Sequence, residues 1–506
     1  MKTNPFLVKA MILLSLVTGL SSITNAQDQF RLSNYVNPDY QWRKLELGFG
    51  LGGNNSFSDQ KIENQESFHQ QDNQMSYSSD ADLNYYATRN SRKYQGYQSF
   101  HISGLIDGMK SGDQDISNGT ENTRHANTQR FYFSAYTENR FYNSRKQFLE
   151  VNLELSSSLA NGKVEYSDDL EDLPFMETSK NFQYAITASL PVLIGLGRIE
   201  EVQDARLAVY ILDDLQKSGD LKRAPTAEET LSFSRFITET KNRRFFDSRI
   251  QKINEITRID SMLNVMGLKA QSGASYYTLL NDNWDFADGP VRRTGGRFSA
   301  GVIPKLQWVY YDSESAYHDT LNDPTILEDY NVISKSWIEN WGIDFIAAYI
   351  WEKPANLYWQ HTINASLAYS LEYDDRINKT YEMDTLSNHS RYETDSPNLK
   401  LVAGYRLGFY PNSRTEVTLD INNILDQNWV KFDSENPEDK NANSFEVYHQ
   451  LNLSCYYYIS EQLRLTVNIQ NTYDYDHTTY PDSPGSKNTD HNLFTSFGAG
   501  LVYKIF

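Results

Sequence analysis

Apolar side chains fall on every second residue, in run after run of about ten residues, and that period limits what the chain can build. Leu399, Leu401, Ala403, Tyr405, Leu407 and Phe409 are apolar, while Lys400, Arg406 and Gly408 between them are not. The same pattern holds for Leu45 to Leu51, Leu149 to Leu155, Phe182 to Leu190, Trp359 to Tyr373, Val417 to Ile421 and Leu463 to Ile469. Each run makes a strand with one greasy face and one polar face. A sheet in water must cover the greasy face, whereas a closed barrel in a bilayer turns it to lipid and keeps the polar face for its bore.

The beginning of the chain favours the second outcome. Lys2 and Lys9 flank the start of an apolar stretch, Ala10 to Val17, and small residues lead to Thr24-Asn25-Ala26. Residues 1–26 therefore read as a secretory signal peptide. Downstream, no stretch is long and apolar enough for a membrane-spanning helix. The mean hydropathy of -0.62 suits a barrel as well as a soluble protein, because half of each strand and every loop is polar. The single cysteine, Cys455, excludes an internal disulfide and a cysteine-based metal centre. Losing Lys2 and Lys9 takes the formal charge from -19 to -21, so nucleic acid is not an expected partner. The 35 Tyr, 25 Phe and 8 Trp suit strands and interfacial girdles.

Connections alternate in length. Short ones are expected near 91–93, 141–145, 352–357, 411–413 and 459–461, and long polar ones near 54–79, 108–126, 160–179, 312–331, 375–396, 425–443 and 476–492. One stretch changes period. From Gly197 to about Gly267, Val202, Ala205, Ala208, Leu212 and Leu215 form a helical stripe, with Gly219 as a stop. Thr226 and Glu229 have the spacing of a capping box. Between Arg198 and Asp260 there are 12 basic and 12 acidic residues, so this block is neutral in an acidic chain. With both termini periplasmic the strand number must be even. The expected division is 27–192 for the first part of a barrel, 193–294 for a mainly helical periplasmic insertion, and 295–506 for the second part. That gives about 14 antiparallel strands, or 16 if the stretch 193–311 holds three crossings. Segment 268–294, with Tyr276, Tyr277, Trp284 and Phe286, is then to be explained without a crossing.

The chain closes on Leu501-Val502-Tyr503-Lys504-Ile505-Phe506. With the leader and the strand series, this terminal aromatic resembles the Gram-negative outer-membrane β-barrel proteins over nearly all of the mature chain. The departure is that Lys504 and Gly500 share the parity of Phe506. The Tyr, Asn and Asp content resembles members from Bacteroidota. The resemblance implies an all-β transmembrane barrel in the outer membrane, lipid as its surroundings, and assembly machinery that reads the last strand ending in Phe506.

Several residues follow as candidates. Glu46, Glu150, Glu154, Asp344, Glu372, Lys400, Arg406, Glu416, Asp420 and Arg464 are expected to face the lumen, as a solute-selecting channel lining or as a stiffening lattice of paired charges. Lys241, Arg243, Arg244 and Arg249 form a basic cluster for a periplasmic protein or cell-wall partner, or simply a solvated helix face. Asp474, Asp476 and His477 end one strand and Asp490-His491 begins the next, an acid–base cluster if they meet at the rim. His361 shares the parity of the apolar set. No metal or cofactor is expected. A passive or gated channel for small solutes is the leading expectation. A scaffold docking a partner through its helices comes second, and a rim-located hydrolase third.

Overall fold

The computed structural model describes residues 30–62, 68–115, 120–170, 173–242, 248–287, 289–319, 328–434, 441–460, 463–483 and 485–503. The signal segment 1–26 and the terminal Phe506 lie outside them. Among the described residues, seventeen strand segments form one sheet. The first eight are β1 (Tyr40–Ile62), β2 (Phe68–Asn90), β3 (Tyr94–Asp115), β4 (Thr120–Tyr142), β5 (Gln147–Val151), β6 (Leu153–Leu170), β7 (Leu173–Ser189) and β8 (Val192–Glu201). Four helices follow: α1 (Gln203–Lys217), α2 (Ala227–Lys241), α3 (Ser248–Val265) and α4 (Ala274–Asp285). The sheet resumes with β9 (Arg293–Asp319), β10 (Glu328–Pro354), β11 (Trp359–Glu382), β12 (Thr385–Asp395) and β13 (Asn398–Phe409). It ends with β14 (Thr415–Ser434), β15 (Ala442–Tyr458), β16 (Leu463–Thr479) and β17 (Lys487–Tyr503).

Every pairing is antiparallel, and apart from three interruptions each segment pairs with its neighbours in sequence. Three pairs of segments share their partners. β5 and β6 both pair with β4. β7 and β8 both pair with β9. β12 and β13 both pair with β11 and with β14. Pro191 and Pro397 sit in two of these breaks, because proline brings no N–H to the ladder. At the third, the Asn152 N–H donates to the Pro191 carbonyl (2.9 Å), and its side-chain oxygen accepts the Asn139 N–H (3.0 Å).

The strands run much further than the apolar alternation marks them. β1 and β2 stay in register out to Ile62 and Phe68, where a long loop over 54–79 was expected. The other long connections shorten likewise: β9 reaches Asp319 and β14 reaches Ser434. Beyond the greasy band both faces of a hairpin meet water, so Ser, Asn, Gln and Asp fill both and the period disappears while the ladder continues. The inserted block also starts later than 193. Val192–Glu201 continues the sheet, the helices begin at Gln203, and the strand expected from 295 begins at Arg293. Segment 268–294 is accounted for by α4.

Local chemistry explains the helices. α1 stops two residues before Gly219, which holds a left-handed φ of +82°. The capping box forms: Thr226 Oγ1 accepts the Glu229 N–H at 3.2 Å and the Glu229 carboxylate accepts the Thr226 N–H at 2.8 Å. The helices share one core, with Ile211, Leu215, Phe233, Ile237, Ile259 and Leu263 fully or almost fully buried. Of the stripe read from the sequence, Ala208, Leu212 and Leu215 are spent inside the block, whereas Val202 and Ala205 pack against Leu32 and Tyr35 of the segment before β1.

Arg223 chelates the Glu229 carboxylate, and together with the Thr226 backbone it holds this acid at about 2 against an ordinary 4.5. A depressed carboxyl stabilises the fold above its unfolded value and loses that contribution as pH falls from about 4.5 towards 2. Amide exchange at the start of α2 should therefore accelerate over that window. In Glu229→Gln the acceleration should flatten; an unchanged acid response in the variant would refute the assignment.

The edges of the sheet differ from its middle. Among the described residues β1 pairs with β2 alone and β17 with β16 alone. Their outward side chains are accordingly bare: Phe49 and Leu51 are 83% and 89% exposed, against 41% for Leu401 in mid-sheet.

Candidate functional site

Registered partners share a face, so the pairings sort every strand residue. All ten residues expected to face the lumen fall on one face, opposite Leu45, Leu149, Phe345, Leu367, Leu401 and Leu453. That polar face is laced with ion pairs. Lys305 and Glu372 lie in one row with Gly342 between them, and the missing side chain lets Lys305 reach across to Glu372 (3.2 Å) and to Asp344 (2.7 Å). Lys400 meets Asp426 at 3.4 Å, and Arg406 meets its row partner Asp420. Arg140 forks onto Glu150 at 2.7 and 3.1 Å. Glu46 pairs with Lys44, and Glu154 accepts from the Ser189 hydroxyl at 2.9 Å. Arg464 lies over the Tyr456 and Tyr458 rings. Seven of the ten are thus joined to a charged partner on that face.

Alternation alone would place Arg198 on the apolar face with Ile194 and Leu196. Gly197, at φ +97°, breaks the alternation. Arg198 instead lies over the Tyr142 ring at 4.8 Å, donates to Glu200 at 2.8 Å and is buried.

The helical block is bound to the end of the sheet that carries the short turns. The chain leaves at Val202 and returns at Arg292, whose carbonyl accepts the Val202 N–H at 2.7 Å. The Arg292 side chain is fully buried. It donates to Gln360 Oε1 (3.0 Å) and to the carbonyls of Asn356 (3.0 Å), Trp359 (3.0 Å) and Leu357, all at the start of β11 and the turn before it. Its guanidinium also lies 5.0 Å from the centre of the Tyr410 ring. From α1, Tyr210 donates to the Tyr410 carbonyl at 2.9 Å, and Arg206, 2% exposed, lies between the Tyr210 and Tyr410 rings. Burial pushes both tyrosines up to about 12 and pulls Arg292 down to about 10. Asp282 pairs with Arg414, whose guanidinium covers the Phe286 ring at 4.9 Å. On the other flank Tyr35, fully buried, bonds Thr238 of α2 at 2.6 Å. Sequence reading missed Arg206, Arg292, Tyr210 and Tyr410. Their partners are backbone carbonyls and rings on distant turns, which leave no mark in spacing.

Two candidate clusters are corrected. The acid–base group does not converge. His477 and His491 share the outward face with Tyr473 and Tyr475, whereas Asp474, Asp476 and Asp490 point to the other face. His477 contacts Thr489 Oγ1 at 2.8 Å, and His491 contacts Tyr473 at 3.2 Å. Adjacent residues of a strand face opposite ways, so proximity in sequence separates them here. His361 does fall on the outward face, bonded to Tyr405 at 2.8 Å. In the basic cluster, Lys241 is turned inward, donating to Asp204 and to the Ala287 carbonyl, each at 3.0 Å. Arg243 and Arg244 lie outside the described residues, as does the side chain of Arg249 at the start of α3.

No family model matches the chain, and no curated protein matches it. Solved structures similar to it include the transport unit of the autotransporter AIDA-I from Escherichia coli, at 10% identity over 82% of this chain and 91% of that one, with a TM-score of 0.17. The translocator domain of autotransporter NalP from Neisseria meningitidis is 8% identical over 84% of this chain and 89% of that one, with a TM-score of 0.18. A deletion mutant of the TodX monoaromatic hydrocarbon channel is 8% identical over 92% and 91%, with a TM-score of 0.20.

Proposed function

We propose that this chain is an outer-membrane β-barrel forming a gated channel for small solutes, with the helical block as its periplasmic stopper. The 17 segments read as 14 crossings once the three interrupted pairs are joined; β1 and β17, which do not pair with each other among the described residues, would meet to close the wall in the membrane. Closure is required because hydrocarbon offers no partner to an open sheet edge. On β10 the outward run Trp341, Ile343, Phe345, Ala347, Tyr349, Trp351 has a tryptophan at each end. Ten residues span about 33 Å along a strand, or about 25 Å of height in a tilted barrel, which suits an apolar band between two interfaces. Tyr40 and Tyr503 both lie beside short turns, so both termini share the helical end, and short turns belong on the periplasmic side.

The observation that supports the gating reading is the bonding of Arg292 and Tyr210 to the rim turns, which ties the block to the end of the sheet where a mouth would open. Planar-bilayer recording tests it. Replacing Gln203–Val291 with a short turn should give open steps larger than those of the full chain. Equal steps would remove the gate, and silence in both proteins would remove the channel and leave the scaffold reading.

A further inference from the structure

A groove of about 700 Å³ lies on the outward face of β1, β2 and β3, at the turn end. Its walls carry Arg43, Arg89, Arg92 and Lys93, over a floor that includes Tyr94 and Phe141. All four basic side chains are exposed, in a chain of net charge -19. One acid, Asp39, lines it with them. Arg92 is committed to Glu200 at 3.0 Å and to the Asn37 carbonyl. Among the described residues no carboxylate pairs with Arg43, Arg89 or Lys93.

The register shows how the groove is built. Gln41 faces Arg89 and Arg43 faces Ala87, so the two arginines are diagonal neighbours on one face, where like charges repel. Arg89 is also registered with Gly96, and a Cβ there would meet the Tyr94 hydroxyl at 2.0 Å. The glycine therefore lets the Tyr94 ring lie flat along the strand, with its hydroxyl fixed to Asn139 at 2.7 Å and the Arg89 guanidinium 5.7 Å from its centroid. Immediately above, on the same face, come Leu45, Leu47 and Phe49. Apolar side chains above and unpaired cations below reproduce the profile of one lipid molecule, acyl chains against the strand and phosphate at its foot.

We propose that this groove binds the headgroup of an anionic phospholipid in the leaflet facing the short turns, through Arg43, Arg89 and Lys93. The proposal rests on the membrane reading given above. A phosphate would neutralise the diagonal arginine pair, and guanidinium offers it a two-pronged donor set.

The test uses the full mature protein in mixed micelles with phosphatidylglycerol or phosphatidylcholine, and native mass spectrometry to count bound lipid. Phosphatidylglycerol should be retained preferentially. The preference should fall roughly fivefold for each side chain removed in the series Arg43→Gln, Arg89→Gln, Lys93→Gln. Heat-modifiable gel migration monitors folding in every variant. Equal retention of the two lipids by the unaltered protein, or an unchanged preference in the folded triple variant, overturns the proposal. Displacement of the lipid by millimolar inorganic phosphate alone overturns the lipid as occupant and makes the site one for free phosphate. A protein that stays monodisperse in buffer without amphiphile sinks the membrane reading and this site together, whereas the other failures leave the barrel standing.

Discussion

Leu367→Arg should lose about 2–4 kcal/mol of folding free energy in lipid vesicles, or fail to reach the heat-modifiable form at all. Leu367 sits near the middle of the outward face of β11, registered with Ala347 on β10 and Leu401 on β13. In water this position is already half exposed, at 49%, and an arginine there would cost almost nothing. In hydrocarbon the same guanidinium loses its hydration, and at mid-height its side chain is too short to reach either interface without strain. The neighbouring Ser366 supplies the control. It points to the polar face, registered with Ala348 and Val402, so Ser366→Lys should leave folding nearly intact and alter conduction instead. Denaturant titration of the two variants in vesicles separates them. If Leu367→Arg folds as well as the parent, the greasy face does not meet lipid.

Arg292→Ala should free the helical block from the rim, at a cost of about 3–5 kcal/mol. The side chain is fully buried and satisfies one amide oxygen and three backbone carbonyls; the Trp359 carbonyl would keep the Ala355 N–H at 2.9 Å, while all four would lose the guanidinium together. Its position over Tyr410 adds a cation–π contact that alanine also removes. Hydrogen exchange should rise sharply in α1 and in the turn before β11, while the ladder between β10 and β11 keeps its protection. Single-channel current should rise in the same variant, approaching that of the protein without the block. Arg292→Lys keeps the charge but cannot reach four acceptors at once, and should recover only part of the protection. A variant with unchanged exchange at both places would show that the block is held by other contacts.

The parts of this fold that were legible in the sequence are those where a side chain has to choose between two media. Leu399 to Phe409 and Trp359 to Tyr373 announce strands because apolar and polar side chains alternate onto opposite faces, and the same parity assigns Lys400, Arg406 and Asp420 to the polar face. Thr226 and Glu229 were legible because a capping box is built from neighbours in sequence. The polar hairpin arms, such as Asn54–Ile62 against Phe68–Ser76, were read as loops because water on both sides removes the contrast. Arg198 escaped parity because one left-handed glycine resets it. Lys241 was read as a surface charge because its partner Asp204 lies on another helix. The acid–base cluster failed on the rule that found the strands: His477 and Asp476 are adjacent, and adjacency in a strand means opposite faces.

The hydrogen bond between Val202 and Arg292 has a bearing on how the chain reaches its native state. Without the helices, joining β8 to β9 across so long an excursion would carry an entropic penalty that grows by about 0.6 kcal/mol with each doubling of the excursion. The helices have a core of their own and bring their two ends side by side, so once they have folded, the link between the halves is no longer than an ordinary turn. Folding can then proceed hairpin by hairpin on each flank, with the helical unit as the splint that sets the register of Glu201 against Arg293. A substitution that unravels that unit would therefore slow the joining of the two halves as well as loosen the block from the rim turns.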